Sequence, residues 1–415
     1  MAVSQLSVCM CSIFGVRYSY SLPRCLRVFV FIMNEGVKHV MKVINAMKVD
    51  ASSSTMDRFF YAEVLSAFPP VHAAFAYGSA VFVQRGYSEA RRRAAMTDLV
   101  LVVDDARKWH RANLELNAAH YAWPLAALGG STIAALQATG AGVYYNTSVQ
   151  LCGRTVKYGV IECASLLDDL KHWRSLYIAG RAHKPVRPLR ELPAELELLV
   201  ANNLRSALSA ALLLLPLRFD DAGLFGTICG LSYSGDVRMG IGESPRKPGD
   251  IADGQHDALA ELYRGPLAEA TGSIGGSVGS RSSVVAAVLS GAASARVQDD
   301  RLPARQSLLA ALPSVAQDGL VDDLLGMVAG GRFRTHSPHC SRQLLLEASE
   351  RLWRSSATAN EANAQLAAAL RRTLFRIVRR ASLAQTAKGV LTAGAATSIG
   401  YALVKIRGAR GSRRE

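Results

Sequence analysis

A short apolar run, Phe75-Ala76-Tyr77, ends in Gly78-Ser79, and about twenty residues later Asp98 opens a second apolar run, Leu99 to Val103. These residue types at this spacing suit nucleotidyl transfer. Glycine lets a backbone approach a phosphate closely, because no Cβ intervenes. A helix start after it would present free N–H groups to the anion, and the Ser79 hydroxyl adds a donor. An Asp at a strand edge can hold a divalent metal bridging triphosphate oxygens. Taken alone the pattern is loose, since Gly-Ser after a strand is commonly a turn and an Asp at a strand start commonly a cap. The second acid that such strands usually carry two residues on is missing; Val100 stands there. Asp104 lies ~20 Å further along an extended chain at about 3.3 Å per residue, too far to share a metal with Asp98. Glu162, at the end of a later strand, is the expected second carboxylate.

The elements around these residues predict an α/β layer. Met56 to Phe68 has helical periodicity, with Phe59, Phe60, Val64 and Phe68 along one side, and Pro69-Pro70 ends it. Val71 to Tyr77 and Leu99 to Val103 read as strands. Asp104 or Asp105 can cap a helix running to about Asn117. Val143 to Leu151 and Thr155 to Ile161 form an expected hairpin turning at Cys152-Gly153. Leu166 to Ala179 reads as a helix with Gly180 as its cap. This order predicts a mixed sheet. After Pro188 the pattern turns helical, and Phe225 to Gly240 holds a glycine-rich turn segment. Residues 270–295 read as a flexible insertion rich in Gly, Ser, Ala and Val. Helical periodicity returns from Arg301 to Ala369, and a basic helix follows from Arg371. The expected division is 1–50, a targeting or disordered extension; 51–188, an α/β domain; 189–265, a helical domain; 266–370, an insertion plus helices; 371–415, a basic tail.

Charge narrows the partners. The net charge is +15, and the segment 371–415 holds eleven Lys or Arg against one acid. An excess concentrated at one end fits an anionic membrane surface or a solvated terminus better than a nucleic-acid groove. Leu374, Phe375, Ile377 and Val378 alternate there with Arg371, Arg372, Arg376, Arg379 and Arg380, as an interfacial helix would require. No segment reads as a membrane span: 206–217 is too short and contains Pro216. Seven cysteines without a CxxC pair argue for a reducing compartment. The first acid is Glu35, preceded by Arg17, Arg24 and Arg27. That composition fits a transit peptide, or an upstream extension with Met33, Met41 or Met47 as the true start. His336, His339 and Cys340 lack a fourth ligand and read as a solvated loop. His110, His120, Trp109 and Trp173 read as structural.

Several colinear blocks resemble the mitochondrial CDP-diacylglycerol synthases, also called translocator assembly and maintenance proteins. They are FAYGSAVFVQ (75–84), TDLVLVVDDARKWHRANLELN (97–117), GAGVYYNTSV (140–149), VKYGVI (156–161), LYIAGRAHKPV (176–186), NLRSALSAALLLLP (203–216), GLSYSGDVRM (230–239) and RRASLAQTAKGVLTAG (379–394). The resemblance implies a nucleotidyltransferase domain, a winged-helix-like helical domain and a C-terminal membrane-binding amphipathic helix. It implies CTP and phosphatidic acid as substrates, Mg2+ dependence, and a peripheral place on the matrix side of the inner membrane in cardiolipin synthesis. The family also lacks the doubled Asp. On this reading Tyr77, Gly78 and Ser79 hold the triphosphate, Asp98 binds the metal, and Lys157 neutralises phosphate charge. Lys157 could equally be an exposed strand lysine. Arg181, His183 and Lys184 could contact CTP or the lipid phosphate, or cap a helix. Tyr233, Ser234, Asp236 and Arg238 form a turn that the resemblance places at the cleft. A non-catalytic translocase assembly factor, or a nucleotidyltransferase acting on another acceptor, are the alternative expectations. The oligomeric state is not legible.

Overall fold

The computed structural model describes residues 55–82, 95–240, 243–272, 289–329 and 338–393. Helix α1 (Thr55–Ser66) leads to strand β1 (Ala73–Tyr77). Strand β2 (Thr97–Val103) precedes α2 (Ala106–Asn117), which is capped by Asp105 accepting from the Lys108 amide at 3.0 Å. Then come α3 (Trp123–Ala138), β3 (Val143–Leu151), β4 (Arg154–Glu162), α4 (Cys163–His172) and the two-residue β5 (Arg187–Pro188). The sheet order is β3-β4-β2-β1-β5. Only β2 and β4 are parallel, so the sheet is mixed, as expected. β1 and β2 are almost wholly buried, which is why they read as continuous apolar runs. Alternate residues feed two cores. Ala74, Leu99, Leu101 and Tyr158 pack under α1 and α2 with Phe60, Val64 and Trp109. Phe75, Tyr77, Val100 and Ile161 join a larger core with Leu166, Leu170 and Leu204.

That larger core continues into the rest of the chain: α5 (Ala194–Leu214), β6 (Arg218–Phe219), α6 (Asp221–Leu231), α7 (Lys247–Gly254), α8 (His256–Ala270), β7 (Leu289–Ala292) and β8 (Ala295–Gln298). β6, β8 and β7 form a second antiparallel sheet in that order. Helices α9 (Leu302–Ala310), α10 (Ser314–Ala329), α11 (Pro338–Ser355) and α12 (Ala359–Ala393) follow. No described helix is long and apolar enough to cross a membrane.

Three expectations change. The helix expected over 166–179 ends at His172, where Trp173 takes a left-handed φ of 55°. The cause is Asp169, whose buried carboxylate accepts from the amides of Ser175, Leu176, Ile178 and Ala179 and from the Ser175 hydroxyl. Those bonds fold 173–180 back as a loop in place of further helical turns. Phe225 to Gly240 holds the expected glycine-rich turn segment, which begins where α6 ends at Leu231. The C-terminal helix starts at Ala359, because the alanine-rich stretch before Arg371 continues it. Residues 338–340 form the first turn of α11, not a loop; His336 and the other side chains of that proposed cluster lie outside the described residues. Residues 1–54 and 394–415, with the expected transit segment and distal tail, lie outside them as well.

Candidate active site

Three residues form one row across the sheet. Tyr77 at the end of β1 pairs with Asp98 on β2, and Asp98 pairs with Lys157 on β4. Paired side chains share a face, so the row presents a phenol, a carboxylate and an ammonium side by side. Lys157 Nζ lies 3.4 Å from Asp98 Oδ1. Opposite Lys157 the β3–β4 register shifts between Asn146 and Val149, with Ser148 at φ 60°. Such bulges twist a strand and re-aim its side chains.

Gly78 closes the row for a steric reason. Its φ is +87°, and a Cβ there would stand 2.9 Å from Asp98 Oδ2. Only glycine lets the turn lie against that carboxylate. The Gly78 carbonyl accepts from the Val81 and Phe82 amides at 3.1 and 3.0 Å. Ser79 sits within that turn, partly exposed.

Aromatic rings carry the cations. Lys157 Nζ lies 4.6 Å from the Tyr145 ring centroid, and the Arg181 guanidinium 4.4 Å from that of Tyr77. The two phenol oxygens are 3.5 Å apart. Tyr145 can lie flat on β4 because Gly159 beneath it has no Cβ; one would meet the ring at 2.5 Å. Burial, reinforced by the Asp98 charge, raises the Tyr77 phenol pKa. Burial and the neighbouring Tyr77 and Tyr177 hold Tyr145 well above the usual range. Both rings therefore stay neutral, with their faces available to cations.

The loop after α4 supplies Arg181 and Lys184. It is pinned by Asp169 and by Asn203, which accepts from Trp173 Nε1 at 2.7 Å and donates to the Ala179 carbonyl at 3.0 Å. His183, fully buried, bonds Asn203 at 3.1 Å and stacks near Trp173, so it is structural and not a ligand contact. Lys184 is buried, donates to Ser232 Oγ at 2.9 Å and lies 5.2 Å from the Tyr233 ring. Burial, with Arg181 nearby, pushes its pKa down to about 7. Gly180 permits this contact between loop and turn, because a Cβ would meet Ser232 at 2.3 Å.

Tyr177, Arg181, Ser232, Tyr233, Asp236 and Arg238 line one cleft, with Val378 and Ser382 of α12. Within it Asp236 binds Arg238, Nη2 to Oδ2 at 2.6 Å. Ser234 is turned away, its hydroxyl donating to the Gly230 carbonyl at 3.4 Å. Burial raises the Asp236 pKa, but hydrogen bonds from Arg238 and Ser382 outweigh it and hold the pKa at about 2.

Glu162 does not join the site. It stands at the far end of β4, opposite Val103, and accepts from the Ala106 amide at 2.8 Å, satisfying the start of α2. Asp104 is also remote, paired with His72 at 2.9 Å. Among the described residues no cluster of three His, Cys, Asp or Glu could hold a metal. A single carboxylate still fits magnesium, which is usually bound through one or two carboxylates with substrate phosphates and water. Sequence reasoning missed Tyr145, Tyr177 and Ser382. Adjacent tyrosines 144 and 145 in a strand, with Gly159 across from them, were the available signal for the first.

A glycine turn laid on a strand-borne carboxylate, with partly buried cations beside it, is an arrangement chemically suited to a phosphate-bearing ligand. The chain matches the family described as mitochondrial phosphatidate cytidylyltransferase over residues 61–408. It is 37% identical over 364 residues to the Xenopus laevis protein of that name, covering 84% of this chain and 94% of that one. With the Bos taurus protein of the same name it shares 34% over 362 residues, 83% and 93% of the two chains. With the Mus musculus protein the identity is 45% over 208 residues, 49% and 61%. The chain belongs to the mitochondrial phosphatidate cytidylyltransferase family.

Proposed function

We propose that this protein transfers the cytidylyl group of CTP to phosphatidic acid, forming CDP-diacylglycerol and pyrophosphate. The observation that carries the reading is the row Tyr77–Asp98–Lys157 beside Gly78, in a chain of this family. Tyr77, Gly78 and Ser79 cradle the triphosphate, and Lys157 and Lys184 supply positive charge. A phosphate oxygen of the lipid attacks the α-phosphorus of CTP. The bond from that phosphorus to the bridging oxygen breaks, and pyrophosphate leaves with the electron pair. The attacking oxygen is already ionised at neutral pH, so the protein aligns and screens charge and supplies no strong base. Asp98 would hold Mg2+, which supplies further neutralisation of the triphosphate oxygens.

The second half of the reading concerns placement. The order α5-β6-α6-α7-α8-β7-β8, with a β6-β8-β7 sheet, supports a winged-helix-like unit after a nucleotidyltransferase unit over 51–188. Leu374, Ile377 and Val378, expected at an interface, pack into the larger core, and Arg372 and Arg376 pair with Asp323; exposed Arg371, Arg379 and Arg380 on α12, with Phe375 and Leu383 also exposed, support docking on an anionic bilayer. The relatives are named mitochondrial. A peripheral position on the matrix side of the inner membrane, feeding cardiolipin synthesis, follows from that reading.

The test is pyrophosphate release from CTP and phosphatidic acid liposomes with Mg2+, comparing wild type with Asp98→Asn. CTP-specific turnover that falls about 100-fold or more in the variant is expected, the scale of removing one preorganised electrostatic group. Turnover surviving in the variant would keep the reaction but move the metal site. No turnover by folded, liposome-bound wild type would sink the enzyme reading and favour an assembly role.

A further inference from the structure

Helix α12 reaches the cleft through one hydroxyl. Ser382 is 3% exposed and donates to Asp236 Oδ1 at 2.6 Å. Ser382 Oγ also accepts from the Val237 amide at 3.2 Å. A helical serine ordinarily bonds its own helix or solvent; this one bonds a turn 146 positions away in sequence. Asp236 in turn holds Arg238 by its amide and Nε on Oδ1, each at 3.0 Å, and by Nη2 on Oδ2 at 2.6 Å.

The turn and the helix are fitted to each other. Gly235 has φ +85°, and a Cβ there would meet the Phe375 carbonyl at 2.6 Å. Further along α12, Lys388 Nζ donates to the carbonyls of Gln137, Thr139 and Val143 at 3.2, 2.7 and 3.0 Å. Ala384 fills the space where Gly140 lacks a side chain, 2.6 Å from a Cβ there. The stretch from Phe375 to Lys388 is therefore anchored on both sides of Ser382.

Arg238 keeps capacity for a ligand. Its side chain is 39% exposed while that of Asp236 is 4%, and the paired Nε and Nη2 leave Nη1 of a planar, five-donor fork. Arg181 lines the same cleft, and among the described residues it makes no ion pair. Two guanidiniums against one buried carboxylate leave a net positive cleft suited to a phosphate monoester or polyphosphate.

We propose that Ser382 is a positioning residue which, through Asp236, sets the Arg238 guanidinium to hold a substrate phosphate. The inference rests on the cytidylyltransferase reading and adds α12 as a wall of its active site. The phosphate is either that of the lipid acceptor or one of the nucleotide's.

The experiment is initial-rate kinetics with phosphatidic acid and CTP varied in turn, on wild type, Ser382→Ala, Asp236→Asn and the double variant. Tm and equilibrium binding of CTP and of a soluble short-chain phosphatidic acid are measured alongside. In Ser382→Ala, KM for one substrate is expected to rise about tenfold, a scale of 1.4 kcal/mol, with kcat within threefold and Tm within about 2 °C. A rise for phosphatidic acid assigns the lipid phosphate; a rise for CTP assigns the triphosphate. The double variant should match Asp236→Asn alone, because Ser382 acts through that carboxylate. Unchanged KM values, additive effects, or a kcat loss that tracks a lower Tm would overturn the proposal. If wild type binds both ligands but does not turn over, the reaction fails while the binding shift still decides the role of Ser382. If it binds neither, both fail.

Discussion

Gly78→Ala tests the geometry more sharply than removing a charge. Two costs are separable. The first is backbone strain, because an L side chain at φ +87° costs about 1–2 kcal/mol. The second is local: the new Cβ would lie 2.9 Å from Asp98 Oδ2, about 0.5 Å inside ordinary contact, and Asp98 or the turn must move. Displacements of that order at a reacting centre cost up to about 100-fold in rate, roughly 2.7 kcal/mol. Gly153→Ala is the control. Its φ is +72° and nothing lies within 4 Å of its Cβ, so it carries strain without displacement. In the liposome assay, Gly78→Ala is expected to lose about 100-fold in kcat/KM while Gly153→Ala stays within threefold. Gly153→Ala should lose Tm for strain alone, and Gly78→Ala at least as much. If Gly78→Ala keeps wild-type kcat/KM, or if both lose activity equally, contact between the turn and Asp98 is not what the reaction needs.

Acid should loosen the fold in a defined window. His110 bonds Tyr121 and Gln137, and burial pushes its pKa down to about 4; His183 is pushed down to about 3 by burial and the adjacent Lys184. Both folded-state values lie below the unfolded value near 6.5, so the unfolded chain binds more protons. Stability is then full above 6.5 and lost as pH falls toward 4, by about 3 kcal/mol for His110. Thermal melts from pH 7 to 4 should show that fall, with a shallower slope in His110→Gln; a flat profile would refute it. Lys388→Met leaves three carbonyls without their donor and should cost about 2 kcal/mol, read as increased amide exchange at the end of α3. No change there would show that Lys388 does not fasten α12.

The strands and the Tyr77–Gly78–Asp98 pattern were legible because buried strands concentrate β-branched and aromatic residues and because a turn with positive φ demands glycine. Helix α3 was not, since its sequence carries no charge, no amphipathic period and a Gly129-Gly130 break, with Gly129 at φ 80°. The helix expected over 166–179 failed because periodicity cannot show that Asp169 gathers five donors from the loop beyond it. Glu162 was misplaced because a strand end next to a helix start asks for an N-terminal acceptor as readily as for a metal ligand. Ser382 could not be read at all: its partner is fixed by tertiary packing, which leaves no local spacing signature.

The mounting of Lys157 and Arg181 on Tyr145 and Tyr77 has a consequence for the charge of the site. Lys157 shares its charge with Asp98 at 3.4 Å, whereas Arg181, resting on a phenol face, keeps its field. The two rings meet hydroxyl to hydroxyl, so they act as a stiff spacer between two positive ends. The spacer also keeps its charge state through the physiological range, because burial holds both phenols protonated. The two cations thus stand on a neutral support whose charge does not change with pH in that range.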